Sequence, residues 1–212
     1  IGQITELPVN ADLSVIEENL FNLYHQKTRN MVRKGMKGGF ECSHNGADST
    51  LETLHHIHDE NLRAIGGMSK SLEVFKAIKK EFIYDKDYRI YIASKNGEIV
   101  STVLLFYFKD MVEYFTPAVL NQYRSQQPLS LLIHKAMTDA VADYNARFWN
   151  WGGTWPTQDG VYRFKSRWGA KDIRYKYYIK LFNDINIFHK SGLDFFLKEY
   201  KYFYTIPFSA LD

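Results

Sequence analysis

Apolar residues recur along this chain at two different periods, and the changes of period mark its elements. Over residues 14–34, Leu20, Tyr24 and Met31 share one stripe, while Lys27, Arg29, Arg33, Lys34 and Lys37 lie on the other side. This pattern predicts a helix, capped by Ser14 with Glu17 completing a capping box. Gly35, Gly38 and Gly39 are expected to end it. Phe40 to His44 reads as a short strand. Leu51, Leu54, His58, Leu62 and Ile65 mark a helix over 50–66, stopped by Gly66-Gly67. Leu72, Phe75, Ile78 and Phe82 mark another over 71–82. From Tyr88 the period drops to that of strands. Asn96-Gly97 is a hairpin turn, Glu98 to Phe108 is a strand buried on both faces, and Met111 to Val119 follows after Lys109-Asp110. Pro128 opens an amphipathic helix, 128–145, followed by a strand at 147–151 and a short helix around Lys165. A last strand is expected at 172–182, and a helix or aromatic tail at 192–204.

This order predicts an α/β (α+β) domain in which helices flank a central, mostly antiparallel twisted sheet. The domain is expected over 14–182. Residues 1–13 read as an extension or the remnant of a preceding lobe, and 183–212 as an aromatic-rich helix or tail packed on the domain. Among 212 residues, 45% are hydrophobic and 24% charged, which suits a globular domain. The net charge of +3 admits anionic substrates without requiring nucleic acid. The single cysteine, Cys42, excludes an intrachain disulfide and fits a reducing, cytoplasmic compartment. No apolar run is long enough to span a bilayer, no signal peptide is visible, and the first residue is Ile rather than Met, as in a piece of a longer protein.

Residues 159–169, DGVYRFKSRWG, carry the strongest chemical signal. A strand, a Gly152-Gly153 turn and a helix bearing Lys165 and Arg167 between aromatics can cradle an anion or a developing oxyanion. Equally, Phe164 and Trp168 can be core plugs with Lys165 in solvent. Arg29, Arg33 and Lys37 are four apart, a solvated cationic face or a phosphate-binding one. His55, His56, His58 and Asp59 do not converge as ligands, so no metal is expected, though His58 can carry a proton in a cleft. Cys42 with His44 two residues on is a weak nucleophile pair. The stretch before Pro128, LNQYRSQQ, holds no glycine, so close backbone approach to a pyrophosphate is hard there. Arg124 is a side-chain alternative for phosphate, and Gln127 and Ser130 are the cofactor-binding candidates.

Several segments together resemble one family. Lys27-Thr-Arg-Asn-Met-Val-Arg-Lys34 is similar to its K-x-R-N-x-I-R-K-A segment. Lys95 to Val100 resembles its hairpin, and Pro128 to Ile133, after Tyr123, its helix start. Asn150-Trp-Gly-Gly153 with Gly160 to Gly169 resembles its D-x-G-G…G-x-x-x-F-K-x-x-F-G signature, with Asn150 for the Asp and Trp168 for the second aromatic. The family is the FemABX-like branch of the GNAT (acyl-CoA N-acyltransferase) superfamily, and the likeness covers about residues 20–182. The resemblance implies the GNAT fold and transfer of an acyl or aminoacyl group, from acyl-CoA or aminoacyl-tRNA, to an amine. The acceptor is expected to be a small molecule, an amino sugar, or a cell-wall or polysaccharide precursor. It implies that Lys165 stabilises charge, with Arg167 a second candidate. Arg29, Arg33, Arg124 and Arg167 are the expected substrate or phosphate contacts, and Tyr162 or His58 the proton relay. Fem-type members carry two such units, so an N-terminal lobe is a further expectation. A non-catalytic module that binds RNA or protein is the alternative, as is one inert lobe of a larger transferase.

Overall fold

The computed structural model describes residues 1–9, 12–155, 158–174, 176, 178, 180, 182 and 186–199. The chain forms two compact units, Ile1–Ile173 and Arg174–Asp212. In the first, a seven-stranded sheet runs in the order β2-β3-β4-β5-β6-β1-β7. Its strands are β1 (Gly2–Glu6), β2 (Glu41–His44), β3 (Tyr88–Lys95), β4 (Glu98–Phe108), β5 (Met111–Val119), β6 (Phe148–Gly153) and β7 (Lys171–Ile173). Every neighbouring pair is antiparallel except β5 and β6, which run parallel. The helices are α1 (Leu13–Leu23), α2 (Gln26–Met36), α3 (Asp48–Arg63), α4 (Leu72–Glu81), α5 (Pro128–Tyr144) and α6 (Asp159–Ser166). A 3-10 turn, Asn121–Gln126, precedes α5. In the second unit, α7 (Asn186–Ser191) and α8 (Leu193–Glu199) are joined at Gly192.

Alternation along β4 sends Val103, Leu105 and Tyr107 to one face and Leu104 to the other, so the sheet has two cores. On one face α1, α2 and α5 cover Val103, Trp149, Trp151 and Trp168. On the other, α3 and α4 bury Leu51, Leu54, Ile57 and Phe75 against Ile90 and Leu104. Asn96 and Gly97 both take positive φ, 53° and 81°, as the predicted two-residue hairpin requires.

Several expectations are corrected. The helix over 14–34 is two helices. Tyr24 is extended (φ −74°, ψ 143°), and the His25 side chain accepts the Lys27 N–H to start α2. The stripe runs on across this break because both helices pack on α5. The cap of α1 is Asp12, whose carboxylate accepts from Ser14 N at 2.8 Å, and not Ser14. Residues 2–6 are not an extension but a strand, clamped between β6 and β7. Of the strand expected at 172–182, Lys171–Ile173 forms; residues 175, 177, 179 and 181 lie outside the described residues, as do 200–204 of the expected terminal helix.

Gly35 does not end α2 but lies inside it, where a Cβ would meet Gln127 O at 2.7 Å and Leu131 Cβ at 2.8 Å. The hydrogen in place of a side chain lets α2 press on the amino end of α5. Gly35→Ala is therefore expected to lower the unfolding free energy by about 1–2 kcal/mol, despite its better helix propensity. Gly160→Ala, which meets nothing within 4 Å, should raise it by about 0.5–1 kcal/mol. Urea denaturation of the two variants checks both signs.

Candidate active site

β5 and β6 pair over only three residues each, Met111 to Glu113 with Phe148 to Asn150. Beyond these positions Tyr114–Val119 and Trp151–Gly153 have no ladder between them. Parallel neighbours that part leave backbone polar groups and side chains open to a ligand. Glu113 and Asn150 stand at the parting. Each lies between residues that point into the α5-side core, Val112 and Tyr114 on β5 and Trp149 and Trp151 on β6. By alternation both side chains emerge on the opposite face. Asn150 Nδ2 donates to Glu113 Oε2 at 2.6 Å, and Asn150 Oδ1 accepts from Gly152 N at 2.9 Å. Gly152 takes φ 69° and turns the strand end, and a Cβ there would lie 3.7 Å from Glu113 Oε1.

Lys165 comes to this place from α6. The sequence puts Phe164 and Trp168 four apart on the buried side, and both pack with Trp151. That orientation drives Lys165 inward as well, to 6% exposure. Its Nζ donates to Gly153 O at 2.8 Å and Thr154 Oγ1 at 2.9 Å, with a longer contact of 3.5 Å to Gly152 O. An ammonium has three protons to place. Two are well bonded, and the third has only the long contact to Gly152 O. Burial lowers the Lys165 pKa to about 8, and the Glu113 charge partly offsets that. Burial raises the Glu113 pKa, against the opposing pull of Asn150 and Lys165. The two desolvated groups are thus drawn toward each other's protonation range.

The other candidates are distributed as follows. Tyr162 lies on α6 with its hydroxyl donating to Asp172 Oδ2 at 3.0 Å. His58 is on α3, its Nδ1 3.4 Å from Pro117 O, and burial lowers its pKa. Pro117 is four residues along β5 from Glu113, about 13 Å of strand, so His58 is not brought to Lys165. Arg29 Nη1 donates to Tyr24 O at 2.7 Å and caps α1, and Arg33 lies over the Phe21 ring at 5.5 Å. Arg124 is exposed on the 3-10 turn. Ser130 is buried and donates to Gln127 Oε1 at 2.9 Å, while Gln127 Nε2 donates to Arg124 O at 3.3 Å. Arg167 ends α6 beside Lys27. Glu113 was missed by the sequence reading. Its only local signal is a lone carboxylate in the apolar run of Met111 to Val119. Among the described residues no cluster of His, Cys, Asp and Glu suits a metal, and no helix is long and apolar enough to cross a membrane.

Comparison with known proteins identifies the class to which this fold belongs. A family described as the acetyltransferase (GNAT) domain matches residues 24–166. The chain belongs to this GNAT acetyltransferase family. Among solved structures, FemX matches with a TM-score of 0.68 at 16% identity, over 80% of this chain and 58% of FemX. The chain thus spans little more than half of FemX. A conserved protein from Bacteroides thetaiotaomicron matches at TM-score 0.56 and 12% identity, over 81% of this chain and 56% of its own. An aminoglycoside acetyltransferase from an uncultured soil metagenomic sample, solved with sisomicin, matches at TM-score 0.51 and 11% identity, over 69% and 99%. At these identities the structures share the fold. No curated protein sequence matches.

The depressed Lys165 pKa has a consequence for stability. Between about pH 8 and 10.5 the folded state has released this proton and the unfolded chain still holds it. The unfolded state then binds more protons, so this group makes stability rise with pH across that window. Denaturation of wild type and Lys165→Met at pH 7, 8.5 and 10 should show the difference between them shifting in favour of wild type as pH rises.

Proposed function

We propose that this GNAT acyltransferase moves an acyl or aminoacyl group onto an amine at the parting of β5 and β6. The reading rests on one observation: the half-buried Glu113 carboxylate, held by Asn150, lies within electrostatic reach of the buried Lys165 ammonium. The acceptor amine attacks the donor carbonyl carbon. Glu113 takes the proton the nitrogen sheds, and the Lys165 proton not committed to Gly153 or Thr154 bonds the developing oxyanion. Collapse of the tetrahedral intermediate expels the thiolate of an acyl-CoA, or the ribose oxygen of an aminoacyl-tRNA. The acceptor class we favour is an amino sugar or the amine of a cell-wall or polysaccharide precursor, in line with the FemX-like fold. Acyl-CoA is the donor we favour, in line with the acetyltransferase family match.

The protonation states required are a carboxylate at Glu113 and an ammonium at Lys165. Turnover is therefore expected to fall as pH drops through the raised Glu113 pKa, and again as it climbs through about 8, where Lys165 loses its proton. Glu113→Gln should lower turnover by about 10²–10⁴-fold and abolish the acid limb. Lys165→Ala should lower it by about 10²–10³-fold with the circular dichroism spectrum unchanged. Release of free thiol from acyl-CoA in the presence of amino sugars is the assay, run beside charged tRNA as donor. Turnover that ignores both substitutions would refute this assignment of the reacting site.

A further inference from the structure

The face of the sheet that carries Glu113 also holds a cavity of about 490 Å³, lined by Glu81, Phe82, Asp87, Phe106, Tyr107 and Phe108. Its volume falls within the range of ligand clefts. It lies where α4 ends and β4 runs into its hairpin with β5. Phe106 and Phe108 share one face of β4 by alternation, while Tyr107 turns its ring into the α5-side core and donates its hydroxyl to Tyr91 Oη at 3.3 Å. The Phe106 ring packs on Phe82 at 5.0 Å and on Phe115 at 5.1 Å. Phe82 and Phe108 stay 43% and 73% exposed, so apolar rings wall the cavity without closing it. Phe106 joins this cavity to the reacting site, because its cross-strand partner on β5 is Glu113. Directly opposed residues of such a pair carry side chains about 5 Å apart on one face.

Two carboxylates and no cationic side chain line this cavity. Glu81 is the last residue of α4, where the helix dipole disfavours an acid. Asp87 Oδ2 accepts from Ile83 N at 2.8 Å, which fixes that carboxylate against the helix end. Among the described residues neither acid has an ion-pair partner. Lys109, on the hairpin outside the cavity, holds its ammonium 5.3 Å from the centre of the Phe108 ring, so this aromatic wall already accepts a cation. Apolar rings beside unpaired carboxylates suit an ammonium on an apolar arm. The rings take the arm and the carboxylates take the charge. An anionic group would meet two like charges here. We infer that this cavity binds a second, non-reacting ammonium group of the acceptor, which rests on the placing of the reacting amine at Glu113. Tyr107 N donates to Asp87 O at 2.8 Å, so Asp87 and Glu113 flank β4 from opposite sides. Two strand spacings, about 10 Å, separate their backbones, a gap that a short arm lying on Phe106 bridges. The acceptor is thus a diamine, either a linear polyamine or a diamino sugar.

The test is calorimetric titration of the full chain, with no acyl donor present, comparing cadaverine with pentylamine and diaminoglucose with glucosamine. In at least one pair the diamine should bind one to one, about tenfold tighter than its monoamine, and more weakly as salt is added. Glu81→Gln and Asp87→Asn should each weaken diamine binding about tenfold, toward the monoamine value. Asparagine keeps an oxygen for the Ile83 N–H, so that turn is preserved. Glu18→Gln, on α1 at the other face of the sheet, should change nothing. The amide resonances of Glu81 and Phe108 should move as diamine is added. A preference for cadaverine would support the site and assign it to a linear polyamine, and a preference for diaminoglucose would support it and assign it to a sugar. Absence of diamine binding, equal affinity within both pairs, affinity indifferent to both acid substitutions, or resonance shifts that spare Glu81 and Phe108 would each overturn the proposal. Because no acyl transfer is read, that failure leaves the roles of Glu113 and Lys165 standing. Turnover that ignores Glu113→Gln, beside diamine binding that needs Glu81 and Asp87, would instead refute the reacting site and leave the ammonium site in place.

Discussion

An ammonium taken out of water must find oxygen for its protons, and Lys165 finds it at the end of β6. Much of the local architecture follows from that need. The ties of Lys165 to Gly153 and Thr154 and the packing of Phe164 and Trp168 in the aromatic core agree on one orientation of α6. The same tie draws in β1, because Thr154 Oγ1 donates to Gln3 Oε1 while Gln3 Nε2 donates to Ser166 Oγ at 3.1 Å. One buried side chain thus joins a hydrogen-bonded chain that links a strand end, a helix and an edge of the sheet.

The arrangement also sorts charge. Glu113 and Lys165 are desolvated together, so burial moves the carboxyl pKa up and the ammonium pKa down. Neither change would follow from an exposed pair, and both bring proton transfer closer to neutral pH. Arg163, on the other side of the same helix, stays exposed to solvent. A single helix of eight residues, Asp159–Ser166, therefore carries a desolvated cation on one side and a solvated one on the other.

Elements whose cause lies within a few residues were readable from the chain. Asn96-Gly97 carries its turn in its own backbone freedom, and Pro128 with the stripe from Leu129 to Tyr144 announces α5. Lys165 stood out because aromatics bracket it. Features with distant causes were not readable. β1 is a strand because β6 and β7 lie on either side of it, and its short sequence gave no independent sign. The break at Tyr24-His25 preserves the apolar stripe, so periodicity passes over it. Arg29 and Arg33 looked like a binding face because a sequence does not show that a guanidinium is occupied by the helix before it. Glu113 was illegible because its importance comes from Asn150, which meets it across a ladder of three residues.

The position of β1 shapes how the molecule assembles. Strands β2 to β5 are consecutive in the sheet, so that half can form by local pairing as it is made. The other half cannot, since Trp151 Nε1 bonds Thr5 Oγ1 across 146 residues of sequence. β1 must wait for β6 and β7, and contacts of such long range close slowly. The parting of β5 and β6, with Glu113 and Lys165 beside it, belongs to this late half. On a growing chain this corner is consequently among the last regions to order, since it is not complete until β1 has been captured.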